Sequence, residues 1–226
     1  MSLDDRRRST AVEDYTKAIY SLARRGDGTV TTTALAERLG VTPASVSSMA
    51  KKLAERGLVT HAPYQGIQLT AAGERIALAV LRHHRLLELY LVEHLGVPPD
   101  RVHEEAEALE HVISEDLEAR IAAKLNNPTH DPHGDPIPDA DLVIDEGITV
   151  SLADMQPGDR GRFVRVSDSD PEMLRYLDRL AIRLGDDAEV IGREPFDGPI
   201  TVRFAGVDHS LGGGLARAIR IELDGS

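Results

Sequence analysis

Apolar residues follow a helical period in the first part of the chain and give way to short alternating runs in the last third. Val12, Tyr15 and Ile19 are spaced three or four residues apart, which predicts a helix over residues 10–23. Residues 34–39 and 43–56 repeat this period, and a threonine-proline pair typical of a helix start precedes the second of them. Two such helices joined by a glycine-containing turn indicate a helix-turn-helix.

Two short apolar runs then predict a β-hairpin. Residues 57–60 and 67–70 have strand character, and proline and glycine occupy the turn between them at 63–66. A hairpin after a helix-turn-helix completes a winged helix, which binds DNA. The candidate DNA contacts are the exposed residues of its second helix, Thr42, Ala44, Ser45, Ser47, Ser48 and Lys52. The alternative is a small three-helix domain whose polar residues only face solvent.

The middle of the chain combines a long helical period with histidine and carboxylate side chains. A helix is predicted over residues 71–95, and His84 and Glu88 lie one turn apart in it. The next helix is predicted to begin after residue 100 and to carry His103, Glu107, Glu110 and His111 on one side. Neighbouring carboxylates repel one another unless a cation lies between them, so the pattern favours a metal site. The alternative is a solvated acidic face.

A proline-rich segment separates this helical part from a β-rich part. Residues 126–142 hold four of the twelve prolines, which predicts a linker. Short β-type runs follow at 149–152, 161–166, 188–191, 200–204 and 218–223. The expected fold class is α+β, mainly α. The predicted domains are a winged helix at 1–75, a helical domain with the linker at 76–142, and a small β-rich domain at 143–226.

The charge of the chain is divided unevenly among these parts. A formal net charge of -12 over 226 residues disfavours nucleic-acid binding when it is taken as an average. Residues 1–75, however, carry 11 basic and 8 acidic side chains, whereas residues 76–140 carry 5 and 13. The positive part coincides with the predicted winged helix, and the most negative part coincides with the predicted metal ligands.

The chain contains no cysteine, which excludes disulfides and thiolate ligands. Any metal is therefore expected to be held by His, Asp, Glu or carbonyl oxygen. No uncharged stretch is long enough for a membrane span, and no apolar segment follows the basic N-terminus. We expect a cytoplasmic protein with no signal peptide.

These motifs together resemble the diphtheria toxin repressor family of metal-dependent transcriptional regulators. The similar segments are 13–15 (EDY), 56–59 (RGLV), 82–88 (RHHRLLE), 103–114 (HEEAEALEHVIS), 134–138 (GDPIP) and 219–222 (IRIE). The resemblance implies an N-terminal winged helix, a helical dimerisation and metal-binding domain, and a C-terminal SH3-like β-barrel. It also implies a homodimer that binds palindromic operator DNA when loaded with Fe²⁺ or Mn²⁺ and controls metal-uptake genes.

The resemblance further implies two metal sites. Carried over onto this chain, the primary site consists of Asp14, Glu107, Glu110 and His111. The ancillary site consists of His84, Glu88, His103 and a carboxylate of the SH3-like domain, for which Asp168 is the first choice and Asp170 and Glu172 are alternatives. Residues 86–95 are expected either to form the dimer contact or to pack within the helical domain.

Two departures from the family pattern bear on the metal. Asp14 and Glu107 stand where iron-type members place sulfur-bearing residues, and hard oxygen ligands suit Mn²⁺. We therefore expect Mn²⁺ as the cofactor, with Fe²⁺ as the alternative. Lys17 stands where a paired-metal form of the manganese site has a carboxylate, which argues against a second metal close to the first.

The sequence therefore predicts a metal-dependent repressor and not an enzyme. A cation shared between Asp14 and the ligands around Glu110 would fix the winged helices of the dimer for operator binding. One alternative is a winged-helix regulator that is independent of metal and senses an organic ligand. The other is a metallohydrolase, which residues 107–111 do not favour because their first position is Glu and not the His of the H-x-x-E-H peptidase signature.

Overall fold

The computed structural model describes residues 3–24, 28–62, 66–167, 170–196 and 198–224. The chain forms two compact units. The first consists of Met1–His84, Leu109–Glu115 and Pro138–Val143, and the second of Arg85–Ala108, Asp116–Ile137 and Ile144–Ser226. The three-part division at residues 75 and 142 stays a prediction beside this grouping.

The first unit contains the winged helix that the sequence predicts. Its elements are α1 (Leu3–Ala23), α2 (Thr32–Leu39), α3 (Pro43–Glu55), β1 (Val59–Ala62), β2 (Gly66–Leu69) and the first part of α4 (Ala71–Leu95). Helix α1 begins seven residues earlier than the prediction of 10–23, whereas α4 has the predicted bounds. Three residues of the predicted wing turn, 63–65, lie outside the described residues.

Local hydrogen bonds explain where α2 and α3 begin and end. Thr31 Oγ1 accepts a hydrogen bond from the backbone N–H of Ala34 at 3.1 Å, and Thr42 Oγ1 accepts one from Ser45 at 3.2 Å. Both threonines are N-caps, and each satisfies one of the unpaired donors at a helix start. Gly40 ends α2 at a φ of 64°, a left-handed conformation that glycine adopts without strain.

The hairpin of the wing packs closely onto the helices. Strands β1 and β2 are antiparallel, and Val30 extends the pairing by exchanging two backbone hydrogen bonds with Ile67 at 3.0 and 2.8 Å. A Cβ at Gly73, in the first turn of α4, would lie 2.0 Å from the carbonyl oxygen of Leu58, so this position requires glycine. The core of the unit includes Val12, Ile19, Leu35, Val46, Leu53 and Ile67.

Helix α5 (Val102–Leu109) ends earlier than the sequence predicts. Glu110 and His111 lie in the turn that follows it, where the N–H of Val112 donates to the carbonyl of Leu109 at 3.0 Å. Helix α6 (Glu115–Lys124) then begins. The expected single helical stripe from His103 to His111 is therefore wrong for its last two members, which are placed by a turn.

The β-rich part of the second unit is a six-stranded antiparallel sheet. Its elements in chain order are β3 (Val150–Ser151), a 3-10 turn (Leu152–Asp154), β4 (Arg160–Val166), α7 (Pro171–Arg179), β5 (Asp187–Arg193), β6 (Ile200–Phe204), β7 (Val207–Leu211), α8 (Gly213–Ala218) and β8 (Ile219–Leu223). The strand order is β3-β8-β4-β5-β6-β7. This antiparallel β module agrees with the SH3-like domain that the sequence predicts, and in the described residues no pairing joins β3 to β7, so the sheet does not close. Phe163, Val202, Phe204 and Ile219 lie in its core.

Several features of the second unit follow from hydrophobic periodicity and others do not. The five predicted β runs all contain strands, whereas β7, α7 and α8 were not predicted. Residues 126–142 contain no helix or strand apart from one isolated bridge, as expected for a linker. Leu86, Leu87, Leu89 and Leu91 are buried in the single chain, which agrees with a packing role, and the dimer contact there stays a prediction. Among the described residues no helix is both long and apolar enough to cross a membrane.

Candidate metal centres

Three potential metal ligands converge in the first unit. His111 Nε2 lies 2.9 Å from Asp14 Oδ1 and 3.3 Å from Glu110 Oε1. One ligand-type atom of each residue lies within 4.8 Å of the others, close enough for all three to bind one cation. Asp14, Glu110 and His111 are three of the four residues predicted for the primary site, and we refer to them as the primary cluster.

The primary cluster joins two segments that are far apart in sequence. Asp14 lies on α1, which the buried side chains of Val12 and Ile19 anchor in the winged-helix core. Glu110 and His111 come from the turn after α5. His111 Nδ1 lies 2.6 Å from Glu13 Oε2, a contact across 98 positions of sequence. The cluster therefore holds α1 against segment 109–115.

Glu110 makes several polar contacts within the first unit. Its side chain is 0% exposed, and Lys17 Nζ donates to its Oε1 at 2.6 Å. His84 Nδ1 lies 2.6 Å from its Oε2, and His83 Nδ1 lies 3.1 Å from its backbone carbonyl oxygen. A buried carboxylate is stable only with such partners. His84, which the family resemblance assigns to the ancillary site, is thus placed beside Glu110.

The electrostatics of the primary cluster favour a proton on His111. Burial alone would lower the pKa of His111, but hydrogen bonds to Asp14 and Glu13 and the charge of Glu110 outweigh it and raise that pKa to about 10. In the metal-free protein the imidazolium therefore supplies part of the positive charge that the carboxylates require. A cation that replaced this proton would meet the same oxygens.

The other predicted ligands lie in the second unit. His103 Nδ1 is 3.3 Å from Glu88 Oε1, and His103 Nε2 is 3.7 Å from Glu107 Oε1. The side chain of Glu88 is fully buried, whereas that of Glu107 is 39% exposed. The structure thus brings Glu88 and His103 together, as the ancillary assignment requires. Glu107 lies near the other ring nitrogen of His103, Nε2.

A second group of ligands in this unit was not predicted from the sequence. Glu88, Asp131 and His133 are all buried, and one ligand-type atom of each lies within 4.8 Å of the others. His133 Nε2 donates to the carbonyl of Pro99 at 3.0 Å, which directs Nδ1 toward Glu88 Oε2 at 3.8 Å. Within the described residues Nδ1 is buried and has no hydrogen-bond partner. We refer to these three residues as the buried cluster.

The loop around His133 is fixed by the backbone of the β module. The carbonyl of His133 accepts from Val166 N at 2.9 Å, in β4. Asp131 Oδ1 accepts from the N–H groups of His133 and Asp135 at 2.8 and 2.9 Å. Burial and the charges of Asp135 and Glu88 raise the pKa of Asp131. These bonds hold Asp131 and His133 in the geometry that a ligand pair needs.

A glycine and an arginine complete this arrangement. Gly134 has a φ of +82°, and a Cβ there would lie 1.9 Å from the carbonyl oxygen of Val164. No other residue fits between the loop and β4. Arg85 donates to the Pro136 carbonyl and lies 3.3 Å from Asp135 Oδ1 and 3.8 Å from Asp131 Oδ2, so a fixed positive charge stands beside the buried cluster.

The candidate ligands of the SH3-like domain have other contacts or are not described. Asp168 lies outside the described residues. Asp170 Oδ1 accepts from the N–H of Glu172 at 2.9 Å and is the N-cap of α7. The side chain of Glu172 is 88% exposed and lies 4.0 Å from Arg175 Nη2. Within the described residues, both alternatives to Asp168 therefore have roles local to α7.

The predicted DNA-contact residues share one accessible part of the winged helix. All six, Thr42, Ala44, Ser45, Ser47, Ser48 and Lys52, are exposed. Ser45, Ser48 and Lys52 line an open groove of about 520 Å³ beside α1. Thr42 also serves as the helix cap, and Ser47 Oγ donates to the Pro43 carbonyl at 3.0 Å, so these two hydroxyls have local partners as well.

The donor sets of both clusters fit a divalent metal. Each combines two carboxylates with one imidazole, and the chain has no cysteine to compete as a softer ligand. The orientation of His133 is the most specific sign, because a histidine that ligates a metal typically donates its other N–H to a carbonyl, as His133 does to Pro99. Sequence reasoning missed Asp131 and His133 because they lie in the proline-rich segment.

Family models match almost the whole chain. Residues 8–67 match the iron dependent repressor N-terminal DNA binding domain, and residues 70–139 match the iron dependent repressor metal binding and dimerisation domain. Residues 150–223 match the FeoA domain. The three matches follow one another in the order of the winged helix, the helical segment with both clusters, and the β-rich module.

Individual proteins are similar over nearly the same length. The diphtheria toxin repressor of Corynebacterium efficiens is 33% identical, with 94% of this chain and 96% of that protein covered. The iron-dependent repressor IdeR of Mycobacterium leprae is 36% identical over 80% of this chain and 76% of its own. A solved structure described as a manganese-dependent transcriptional repressor complex with manganese is 43% identical, with a TM-score of 0.90, and covers 94% of this chain and 100% of its own.

Proposed function

Because the chain belongs to the diphtheria toxin repressor family of metal-dependent transcriptional repressors, we propose that it acts as a Mn²⁺-activated homodimer on palindromic operator DNA in the cytoplasm. The observation that carries this proposal is the primary cluster. Asp14, Glu110 and His111 arrive from positions nearly a hundred residues apart and meet with their ligand atoms within 4.8 Å. Glu107 is the fourth ligand of the proposed site, on the strength of the family resemblance.

Mn²⁺ is the metal that the donor chemistry favours. All the side chains in question offer carboxylate oxygen or imidazole nitrogen, and Mn²⁺ prefers such hard ligands. The relative with a TM-score of 0.90 is described as a complex with manganese, whereas other relatives are named iron-dependent repressors. Fe²⁺ is therefore the competing metal, and metal-uptake genes are the proposed targets.

The buried cluster is the proposed second centre. It takes Glu88 from the ancillary site that the sequence predicts and adds Asp131 and His133 to it. His103 remains a candidate for the same centre because its Nδ1 lies 3.3 Å from Glu88 Oε1. The hydrogen bond from the Val166 N–H to the His133 carbonyl connects this centre to β4. Fixing the ligand side chains at this centre would therefore also stabilise the β module.

Residues of the primary cluster carry the proposed switch. Asp14 belongs to the first helix of the winged helix, and its carboxylate is held in place by the turn that contains Glu110 and His111. These residues would hold a divalent cation, which would supply a stronger positive charge to the oxygens than the proton of His111 does. Firmer anchoring of Asp14 would restrict α1, and through α1 the recognition helix, so that two half-sites could be contacted together.

Metal-dependent operator binding tests this proposal. Operators are first selected from random duplex DNA with the Mn²⁺-loaded protein, and affinity is then measured by fluorescence anisotropy with and without Mn²⁺. We expect the metal to strengthen binding by about fivefold to 150-fold, the usual range of an allosteric coupling. Asp14→Ala should abolish this response, whereas Asp116→Ala, at an exposed ion pair in α6, should leave it intact. An equal Mn²⁺ response in both variants would refute the assignment of Asp14.

A further inference from the structure

The contact between Lys17 and Glu110 places a fixed positive charge inside the primary cluster. Lys17 lies on α1 one turn after Asp14, and its Nζ lies 2.6 Å from Glu110 Oε1. The same carboxylate oxygen lies 3.3 Å from His111 Nε2, which in turn faces Asp14 Oδ1. The ammonium group therefore binds an oxygen that the proposed metal would also need.

This lysine is held close to the ligands and is largely withdrawn from water. Its side chain is 12% exposed, and the carboxylate that it contacts is fully buried. A charge-assisted hydrogen bond of this length in such surroundings is strong and has a defined direction. Lys17 is therefore well placed to position Glu110 before any metal arrives.

We propose that Lys17 is a resident cation of the primary centre, which orients Glu110 in the metal-free protein and lowers the affinity of the centre for a divalent ion. This inference rests on the proposed function, since it assumes that the primary cluster binds Mn²⁺. It concerns a residue that is a positioning group and not itself a metal ligand.

The lower affinity follows from repulsion between like charges. An ionic charge within about 4–6 Å of a site typically shifts a charge-binding equilibrium by about one to three powers of ten. Replacing Lys17 by an uncharged side chain of similar length should consequently tighten Mn²⁺ binding at this centre by about tenfold or more. The metal-free protein should become less stable in the same variant, because buried Glu110 loses an ionic partner.

The test compares full-length Lys17→Met, Lys17→Arg and Lys17→Glu with the wild type. Each protein is stripped with a chelator and titrated with MnCl₂ in the absence of DNA, and its metal content, affinity and EPR spectrum are measured. We expect tighter binding and a lower apo melting temperature for Lys17→Met, and wild-type values for Lys17→Arg. Lys17→Glu should bind Mn²⁺ more tightly still, because a negative charge then replaces the positive one beside the ligands. Lys124→Met, in the last turn of α6, is the control without effect.

Two results would overturn the inference. One is unchanged or weaker Mn²⁺ binding in Lys17→Met, which decides the matter even if Lys17→Glu does not fold. The other is a folded Lys17→Glu variant whose Mn²⁺ affinity is no higher than that of the wild type. Adding Asp14→Ala to each protein separates the inference from the proposed function. If that change removes one Mn²⁺ from the wild type and the lysine variants still behave like the wild type, only the role of Lys17 is wrong, whereas no loss of Mn²⁺ refutes the centre itself.

Discussion

Mn²⁺ binding at the primary cluster should release a proton from His111. The two ring nitrogens of His111, Nδ1 and Nε2, both face carboxylate oxygens, at 2.6 Å from Glu13 and 2.9 Å from Asp14. These contacts raise its pKa to about 10, so at neutral pH the ring is protonated and neither nitrogen has a lone pair for a metal. The ring must lose a proton before it can act as a ligand.

The size of this effect follows from the difference between pKa and pH. At pH 7.5, deprotonating a group whose pKa is about 10 costs about 3 kcal/mol, so Mn²⁺ binds roughly 300-fold more weakly than it would to a neutral ring. Affinity should rise by about a factor of ten per pH unit between pH 6.5 and 9, because one proton leaves for each ion bound. The dependence should flatten as the pH approaches the pKa of His111.

Calorimetry can count the released protons. MnCl₂ titrations in buffers of different ionisation enthalpy give the number of protons released per ion. His133 and Asp131 of the buried cluster also have raised pKa values, of about 9 and about 8, so the experiment uses a His133→Ala, Asp131→Asn background that removes both of these proton sources. We expect close to one proton per ion at pH 7.5. Release of no proton, with Mn²⁺ still bound through Asp14, would refute the assignment of His111 as a protonated ligand.

Three further predictions concern stability and DNA binding. Without metal, the free energy of unfolding should fall as the pH rises from about 6.5 to 10, because the His111 ring stabilises the fold only while it is protonated. Urea titrations should show a smaller fall for His111→Gln. Gly134→Ala should lower the unfolding free energy by about 3 kcal/mol, because the added methyl group would clash with the Val164 carbonyl. The control Gly214→Ala, where a methyl group in α8 has open space, should change it by less than about 1 kcal/mol. Chemical denaturation measures both values. Lys52→Ala should leave Mn²⁺ affinity unchanged and reduce the slope of log operator affinity against log salt by about one, and an unchanged slope would place Lys52 away from the DNA.

The sequence predicts elements well where one periodic pattern decides them. Helix α4 has the predicted bounds of 71–95, and β6 has those of 200–204, since each has an uninterrupted apolar pattern. The end of α5 was not predictable in this way. Its last turn is followed by Glu110, whose contacts with His83 and Lys17 span 27 and 93 positions of sequence. Local periodicity carries no information about partners at that distance.

The candidate sites show the same division. Asp14, Glu110 and His111 were assigned from the resemblance, and the structure brings them together. Asp131 and His133 were hidden by the prolines around them, which indicated only a linker. His133 is a candidate ligand because its Nε2 donates to the Pro99 carbonyl and because its own carbonyl accepts a hydrogen bond from Val166 in β4. Both contacts are tertiary features.

Internal cations change what the net charge of -12 means for metal sensing. Lys17 contacts the primary cluster at 2.6 Å, and Arg85 lies 3.8 Å from Asp131 in the buried cluster. A divalent ion therefore competes with a charge that the chain already supplies, and does not enter an uncompensated group of carboxylates. The affinity for the ion therefore reflects the difference in free energy between carboxylates paired with the resident cations and carboxylates bound to the divalent ion. This difference is smaller than the full attraction between the carboxylates and the ion. A sensor has to release its metal when the supply falls, and a difference of this kind keeps binding reversible while the metal-free protein stays folded.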